Sequence, residues 1–340
     1  MKSKVTCKLF KLTKINSLID VKKNILNRKY TDPLKIASRD SKKAEHLSEE
    51  EKNFYFTWGE VSQQNDISFY DINEQEDSVE YFFVPADIEF TKRKKKDSNG
   101  NFLSKANRVN YAQIMVYFFN IKDSVHLIIC SSNEFHVDRV KKLVGTQYIS
   151  KIDDDYQMPP DLFNWLFFKY TQNAGLLDDG ITLMNISGFI GNIGDEHNIF
   201  SGTSDQTSEL IITKAFISNG ETLKTITARL RNADIDIVFT LDDMSNTQIF
   251  VNQSSKLKMF EAENNEPFFI VYLYSYLIPK LKSLYNNSAK HFLSEEKKQF
   301  RIQIGLEVIE SIIKKNLLDL NDVAALFETS STFDKKIEHK

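Results

Sequence analysis

Two apolar runs, Ala112–Ile121 and Val125–Cys130, carry the clearest pattern in the chain. Both are hydrophobic on each face of an extended backbone, as central strands covered on two sides are. Lys122-Asp123-Ser124 separates them by a length that suits a tight hairpin. Ser131 with Glu134 three residues later has the form of a capping box, and the spacing predicts a helix over Glu134–Val144 that Gly145 ends.

The same reading extends outward. Val5–Leu12 alternates around Cys7 and Leu9 and predicts a first strand. Leu18, Val21 and Ile25 make a helical stripe within Ser17–Asn27. Ser48 and Glu51 form a second capping-box pattern, followed by an aromatic, strand-like Asn53–Val61. Asp66–Glu80 is acidic and polar and reads as a loop. Tyr81–Val84 and Ile88–Thr91 are either a strand pair or one strand bent at Pro85. Asp161–Gln172 predicts an aromatic helix that the Gly175–Gly180 segment breaks.

The second half is richer in alternation. Ile181–Ile186 is a strand candidate, and Leu223–Arg231, Ile235–Leu241 and Thr247–Asn252 form a predicted antiparallel meander. Ile226, Ala228 and Leu230 share one face, with Thr225, Thr227, Arg229 and Arg231 on the other. Helices are predicted over Glu266–Tyr285, Ser294–Lys315 and Asn321–Glu328. The expected class is therefore α+β, with mixed or antiparallel sheet regions in both halves and a helical C-terminal segment. The expected organisation is an N-terminal domain over 1–150 and a meander with C-terminal helices over 151–330. Asp153–Asp155 and Pro159-Pro160 mark the boundary, and 331–340 form a flexible tail.

Composition narrows the class. The 340 residues are 41% hydrophobic, with Phe 26 and Tyr 13, enough for an aromatic core. Gly 11 and Pro 6 are low, which excludes collagen-like and broadly disordered chains. Two cysteines, Cys7 and Cys130, are too few for a disulfide framework or a zinc site of their own, and a reducing, cytoplasmic compartment is expected. Met1–Val5 has no apolar leader, and Phe268–Ile278 is too short to span a bilayer, so no membrane association is expected.

Charge changes the picture most. The net charge of −3 conceals blocks of +10 over residues 1–44, −12 over 45–90, +7 over 91–150 and −8 over the remainder. The run Lys92-Arg93-Lys94-Lys95-Lys96 stands before the turn signal Asp97-Ser98-Asn99-Gly100. Phosphate binding requires cations more than fixed geometry. The expected interface for nucleic acid is this run with Lys105 and Arg108, extended by Arg139, Lys141 and Lys142 on the following helix. Phe90 and Phe102 flank the run and offer rings for base stacking. The alternatives are a loop kept soluble by its charge, a targeting signal or membrane-surface contact, or basic blocks neutralised by the acidic one.

Catalytic motifs are sparse. Gly188–Gly194 is neither G-x-G-x-x-G nor a segment with G-K-[ST], and reads as a turn or a bulged strand. Asp195-Glu196-His197 would need Asp178, Asp179, Asp242 or Asp243 to complete a metal site. Asp234 with Asp236, or Asp87 and Glu89 with Lys92, are fragments of a nuclease pattern. The six histidines, His46, His126, His136, His197, His291 and His339, make no metal-ligand spacing, and no nucleophile elbow occurs. No cofactor and no metal is predicted, and enzymatic activity is left open. The leading expectation is a cytoplasmic protein that binds nucleic acid electrostatically. Two alternatives stand beside it: a homo-oligomeric scaffold using a stripe of Phe300, Ile304, Val308 and Ile312, and a metal-dependent nuclease. The chain resembles no family; its motif-poor character is that of small proteins of prophages and phage-defence loci, and no residue carries that likeness.

Overall fold

The computed structural model describes residues 4–70, 76–121, 124–150, 156–178, 180–192, 199–204, 211–257, 265–319, 321 and 324. Strands dominate the first part: β1 (Val5–Lys11), β2 (Tyr30–Pro33), β3 (Asn53–Trp58), β4 (Asn65–Tyr70), β5 (Glu76–Thr91), β6 (Val109–Ile121) and β7 (Ser124–Ile129). The later strands are β8 (Leu176–Asp178), β9 (Ile181–Asn192), β10 (Ile199–Thr203), β11 (Thr222–Arg231), β12 (Ile235–Asp242), β13 (Thr247–Ile249) and β14 (Ser255–Lys256). All fourteen belong to one antiparallel sheet in the order β10-β9-β11-β12-β13-β1-β7-β6-β5-β3-β2, with β4 on β5, β8 on β9 and β14 on β12. The class is α+β.

The helices that matter below are α1 (Leu18–Asn24), α2 (Ser41–Ala44), α3 (Glu49–Lys52), α4 (Lys105–Arg108), α5 (Glu134–Val144), α6 (Leu162–Gln172), α7 (Ile211–Ser218), α8 (Glu266–Tyr272), α9 (Ile278–His291) and α10 (Lys297–Asn316). The last three run on as one continuous rod through π-helical turns at Leu273–Leu277 and Phe292–Glu296. The predicted break between two helices near residue 290 does not occur. Ser294 does not start a new helix; its hydroxyl bonds back to the His291 carbonyl within the rod. Of the third predicted helix only residues 321 and 324 are described, and the tail, like Asp153–Asp155, lies outside the described residues. Among the described residues no helix is long and apolar enough to cross a membrane.

Two cores fill the layers. One packs α1 and α5 on the face of the sheet that carries Phe82, Val84, Ile88, Ile114 and Phe118. The larger one joins the inner face of β9 and β11–β13 to α6 and the C-terminal rod. Helix α6 is buried on every side from Leu162 to Phe168, because its sequence is apolar all round. Phe300 and Ile304 of α10 belong to this core, whereas Ile302, Leu306, Ile309 and Ile312 on the same helix are exposed.

Three local expectations are corrected. The acidic segment is not a loop: β4 and the start of β5 form a hairpin, with Ile67, Phe69, Val79 and Tyr81 alternating inward beneath the polar residues. Asn133, not Ser131, caps α5, accepting from Phe135 N at 3.0 Å, and the Ser131 hydroxyl accepts from Asn133 N one step earlier. Strand β5 continues as one strand through Pro85, so the strand-pair alternative is the one corrected. Its partner β3 is paired only as far as Ala86, and Gly59 N donates to the Pro85 carbonyl at 2.8 Å, so no N–H is wanted there.

Strand β1 holds the two groups of strands together. Val5–Cys7 pair with β13, and Lys8–Lys11 pair with β7, so seven residues serve two neighbours in succession. Tyr274, from the π-helical turn, is fully buried at this change of partner. Its hydroxyl lies 3.1 Å from the Cys7 carbonyl, 3.0 Å from the Ser245 carbonyl and 2.9 Å from the Thr247 hydroxyl. Burial pushes its pKa well up, so it stays protonated and able to donate. Tyr156 OH in turn donates to the Tyr274 carbonyl at 2.8 Å, and Ser245 Oγ donates to the Tyr156 carbonyl. Tyr274→Phe keeps the volume and strands these acceptors; it is expected to lower stability by about 1–3 kcal/mol, read from urea unfolding midpoints.

Candidate nucleic-acid interface

The basic run leaves β5 at Thr91 and returns to β6 through α4. Leu103 N donates to the Lys95 carbonyl at 2.9 Å, and Lys96 bridges to Phe102, so the segment is a tethered hairpin-like loop. The Asp97 carboxylate accepts from Asn99 N and Asn101 N at 2.9 and 2.8 Å and builds the turn that the sequence signalled. Gly100 sits there at φ +77°, which only glycine takes without strain.

The predicted contact residues fall into distinct roles; Lys141 lies 4.0 Å from Asp138 and over the Phe10 ring at 4.4 Å. Arg93 and Lys94 are exposed, Lys95 is half-buried, and none of the three has an ion pair among the described residues. Lys92 donates to the Asn107 carbonyl at 3.3 Å. Lys96 pairs with Asp40 at 2.5 Å and lies over the Phe102 ring at 5.1 Å. Lys105 pairs with Glu89 at 2.7 Å and covers Tyr55 at 4.4 Å. Arg139 sits on Phe90 at 4.5 Å, and Lys142 pairs with Asp32 at 3.5 Å over Tyr30.

Arg108 does not reach the surface at all. It is fully buried, donating from Nε to the Leu103 carbonyl at 2.9 Å and from a terminal nitrogen to the Glu51 carbonyl at the end of α3. Burial draws its pKa down, with Glu51 opposing. Its work is to fasten the loop to the preceding segment. Phe102 is equally committed, packing with Leu34, Ile36, Leu47, Phe54 and Val109 in a small separate core. Phe90 lies against both His136 and Arg139. Neither flanking ring is therefore open for a base.

Sequence reasoning missed the other wall of the site. Lys43 of α2 donates to the Asn99 and Gly100 carbonyls at 3.3 and 3.2 Å, and Asp40 holds Lys96. These contacts dock residues 40–43 on the loop, and Arg39 and Lys42, next to them in sequence, are exposed. The signal was the +10 block over residues 1–44, which periodicity alone could not dock against the loop. The acidic block neutralises little of the patch: Lys105–Glu89 is the ion pair that links it to residues 91–150 among the described residues.

Elsewhere the carboxylates are engaged. Arg229 grips Asp236 through two bonds of 2.7 and 2.9 Å, and the Tyr272 hydroxyl donates to Asp234 at 3.2 Å. Asp87 accepts from Gln113 at 2.9 Å. Asp242 accepts from Met244 N, Asn246 N and Asn246 Nδ2 in its own turn, and Asp243 pairs with Lys224 at 3.3 Å. Gly188 and Gly191 are part of β9, where a Cβ on Gly191 would meet the Phe216 ring at 2.3 Å. Gly194, Asp195-Glu196-His197, Asp179 and the Asp178 side chain lie outside the described residues. Among the described residues no group of three or more His, Cys, Asp or Glu side chains could hold a metal ion.

No protein-family model matches the chain, and no curated protein matches it in sequence.

The hydrogen bond to Lys96 holds the Asp40 carboxyl below its ordinary 3.8. A depressed carboxyl favours the folded loop above that value and loses its contribution as pH falls through the lowered pKa. Carbon-detected NMR is expected to show Asp40 titrating below 3.8, and to show the midpoint moving up in Lys96→Met.

Proposed function

We propose that this protein binds nucleic acid through its phosphate backbone, at the surface where residues 92–104 meet residues 38–43. The observation that carries this reading is the docking of residues 40–43 on the basic loop, which joins the segment of Arg39 and Lys42 to that of Arg93, Lys94 and Lys95. Cations concentrated on joined segments make a positive field that attracts an anion. Here Lys96–Asp40, Lys43 and buried Arg108 fix the backbone while leaving those five side chains uncommitted to carboxylates. Such contacts fix position on a backbone and carry little sequence information.

Replacing Arg93, Lys94 and Lys95 together by Gln tests it. The wild type is expected to bind oligonucleotides with affinity that falls as salt rises. The variant is expected to bind more weakly, with a slope of log K against log salt reduced by roughly 2. Equal affinity, or a wild type insensitive to salt, refutes the reading.

A second reading has its own observation. Ile302, Leu306, Ile309 and Ile312 recur at helical spacing on the outer side of α10 and are each more than two-fifths exposed. Pairing with a second copy through this stripe would remove it from water. Sedimentation is then expected to show a dimer that Leu306→Lys converts to monomer; a wild-type monomer at all concentrations excludes it.

A further inference from the structure

Strand β5 is covered on its odd-numbered face only in part. Tyr81 and Phe83 lie in or against the larger core, but Asp87 and Glu89, further along the same face, are only half-buried. The register sets Glu89 opposite Tyr111 of β6 and Asp87 opposite both Gln113 and Thr57. Tyr55 N donates to the Glu89 carboxylate at 3.0 Å, which puts Tyr55 on the other flank of the same row. The outcome is an open patch of sheet that ends at Thr91, where the basic run begins.

Two aromatic rings stand on this patch. Tyr111 is 71% exposed and Tyr55 38% exposed, roughly 10 Å apart across two strand spacings. Lys105 lies over the Tyr55 ring at 4.4 Å and pairs with Glu89 at 2.7 Å, so Tyr111 is the more open of the two rings. Asp87 and Gln113 on the same patch are bonded to each other at 2.9 Å.

We infer that the ligand is single-stranded, with its phosphates on Arg93, Lys94 and Lys95 and a base stacked on Tyr111; this rests on the reading of the loop given above. The charge layout decides between strand types. A duplex seated on the loop would bring a second line of phosphates toward the Asp87 carboxylate, which pairs with no cation among the described residues, and like charges repel. A single strand has one line of phosphates, and its free bases can turn to the Tyr111 ring.

The test is fluorescence anisotropy with a twenty-nucleotide oligothymidine, an oligouridine of equal length and a duplex of equal length, at two salt concentrations. Tyr111→Ala, Tyr111→Phe and the Arg93, Lys94, Lys95 triple Gln variant are compared, with circular dichroism to confirm folding. The single strands are expected to bind about tenfold or more tighter than the duplex. Tyr111→Ala is expected to lose about tenfold on single strands with an unchanged salt slope, and Tyr111→Phe to retain wild-type affinity. Preference for thymidine or uridine reports on the sugar and the 5-methyl group together and supports the inference either way. Equal or tighter duplex binding, or an unaffected Tyr111→Ala, overturns it while the electrostatic reading stands. Failure of the wild type to bind any of the three overturns both.

Discussion

The change of partner within β1 is the constraint on which the remainder depends. At Cys7 the strand leaves β13, and at Lys8 it takes up β7. A strand that changes neighbours leaves backbone groups at the fork whose partners are not supplied by a regular ladder, and burying such groups is costly. Tyr274 answers that need from outside the sheet, bringing one hydroxyl to carbonyls on β1 and on the turn before β13. The C-terminal rod is thereby tied to the junction, and its π-helical turn supplies the tyrosine at the required place. The extended polar link Tyr156–Tyr274–Ser245 is buried throughout, and each member of it serves another.

The same economy of roles operates in the basic loop. Within five consecutive cations, Lys96 is clasped by Asp40, Lys92 caps a carbonyl, and Arg93, Lys94 and Lys95 remain available. A run of positive charge is therefore not a uniform surface. Some members hold the backbone so that others can stand close together. Arg108 is the extreme case: a cation wholly inside the protein, whose Nε and one terminal nitrogen donate to backbone carbonyls while the Phe54 ring lies beneath it.

Much of the fold was legible from alternation. The β11–β12 pairing, the apolar β6 and β7, the Ser48–Glu51 capping box and the end of α5 at Gly145 follow from local rules that tertiary structure did not overrule. The acidic hairpin was not legible because its inward Ile67, Phe69, Val79 and Tyr81 are outnumbered by carboxylates, and composition masked the period. The site was legible as a concentration of charge but not as an arrangement. Nothing in sequence distinguishes Arg108 from its exposed neighbours, since its burial comes from a segment more than fifty residues earlier. Tyr111 was hidden for the opposite reason: in a strand rich in aromatic residues, only the register with Glu89 shows which ring faces outward.

The position of β1 also bears on how the chain is made. Its first three residues pair with Thr247–Ile249, so about 240 residues must be synthesised before that contact exists. At about 5–20 residues per second this is a wait of roughly 12–50 s. Through that interval the ribosome-bound chain carries an edge strand with one side unpaired, the condition that invites misassociation between nascent chains. Lys4, Lys8 and Lys11 punctuate the segment, and charge at such spacing is what keeps an open edge from adding a foreign strand. Three lysines within eight residues thus set charge along a joint that closes only late in synthesis.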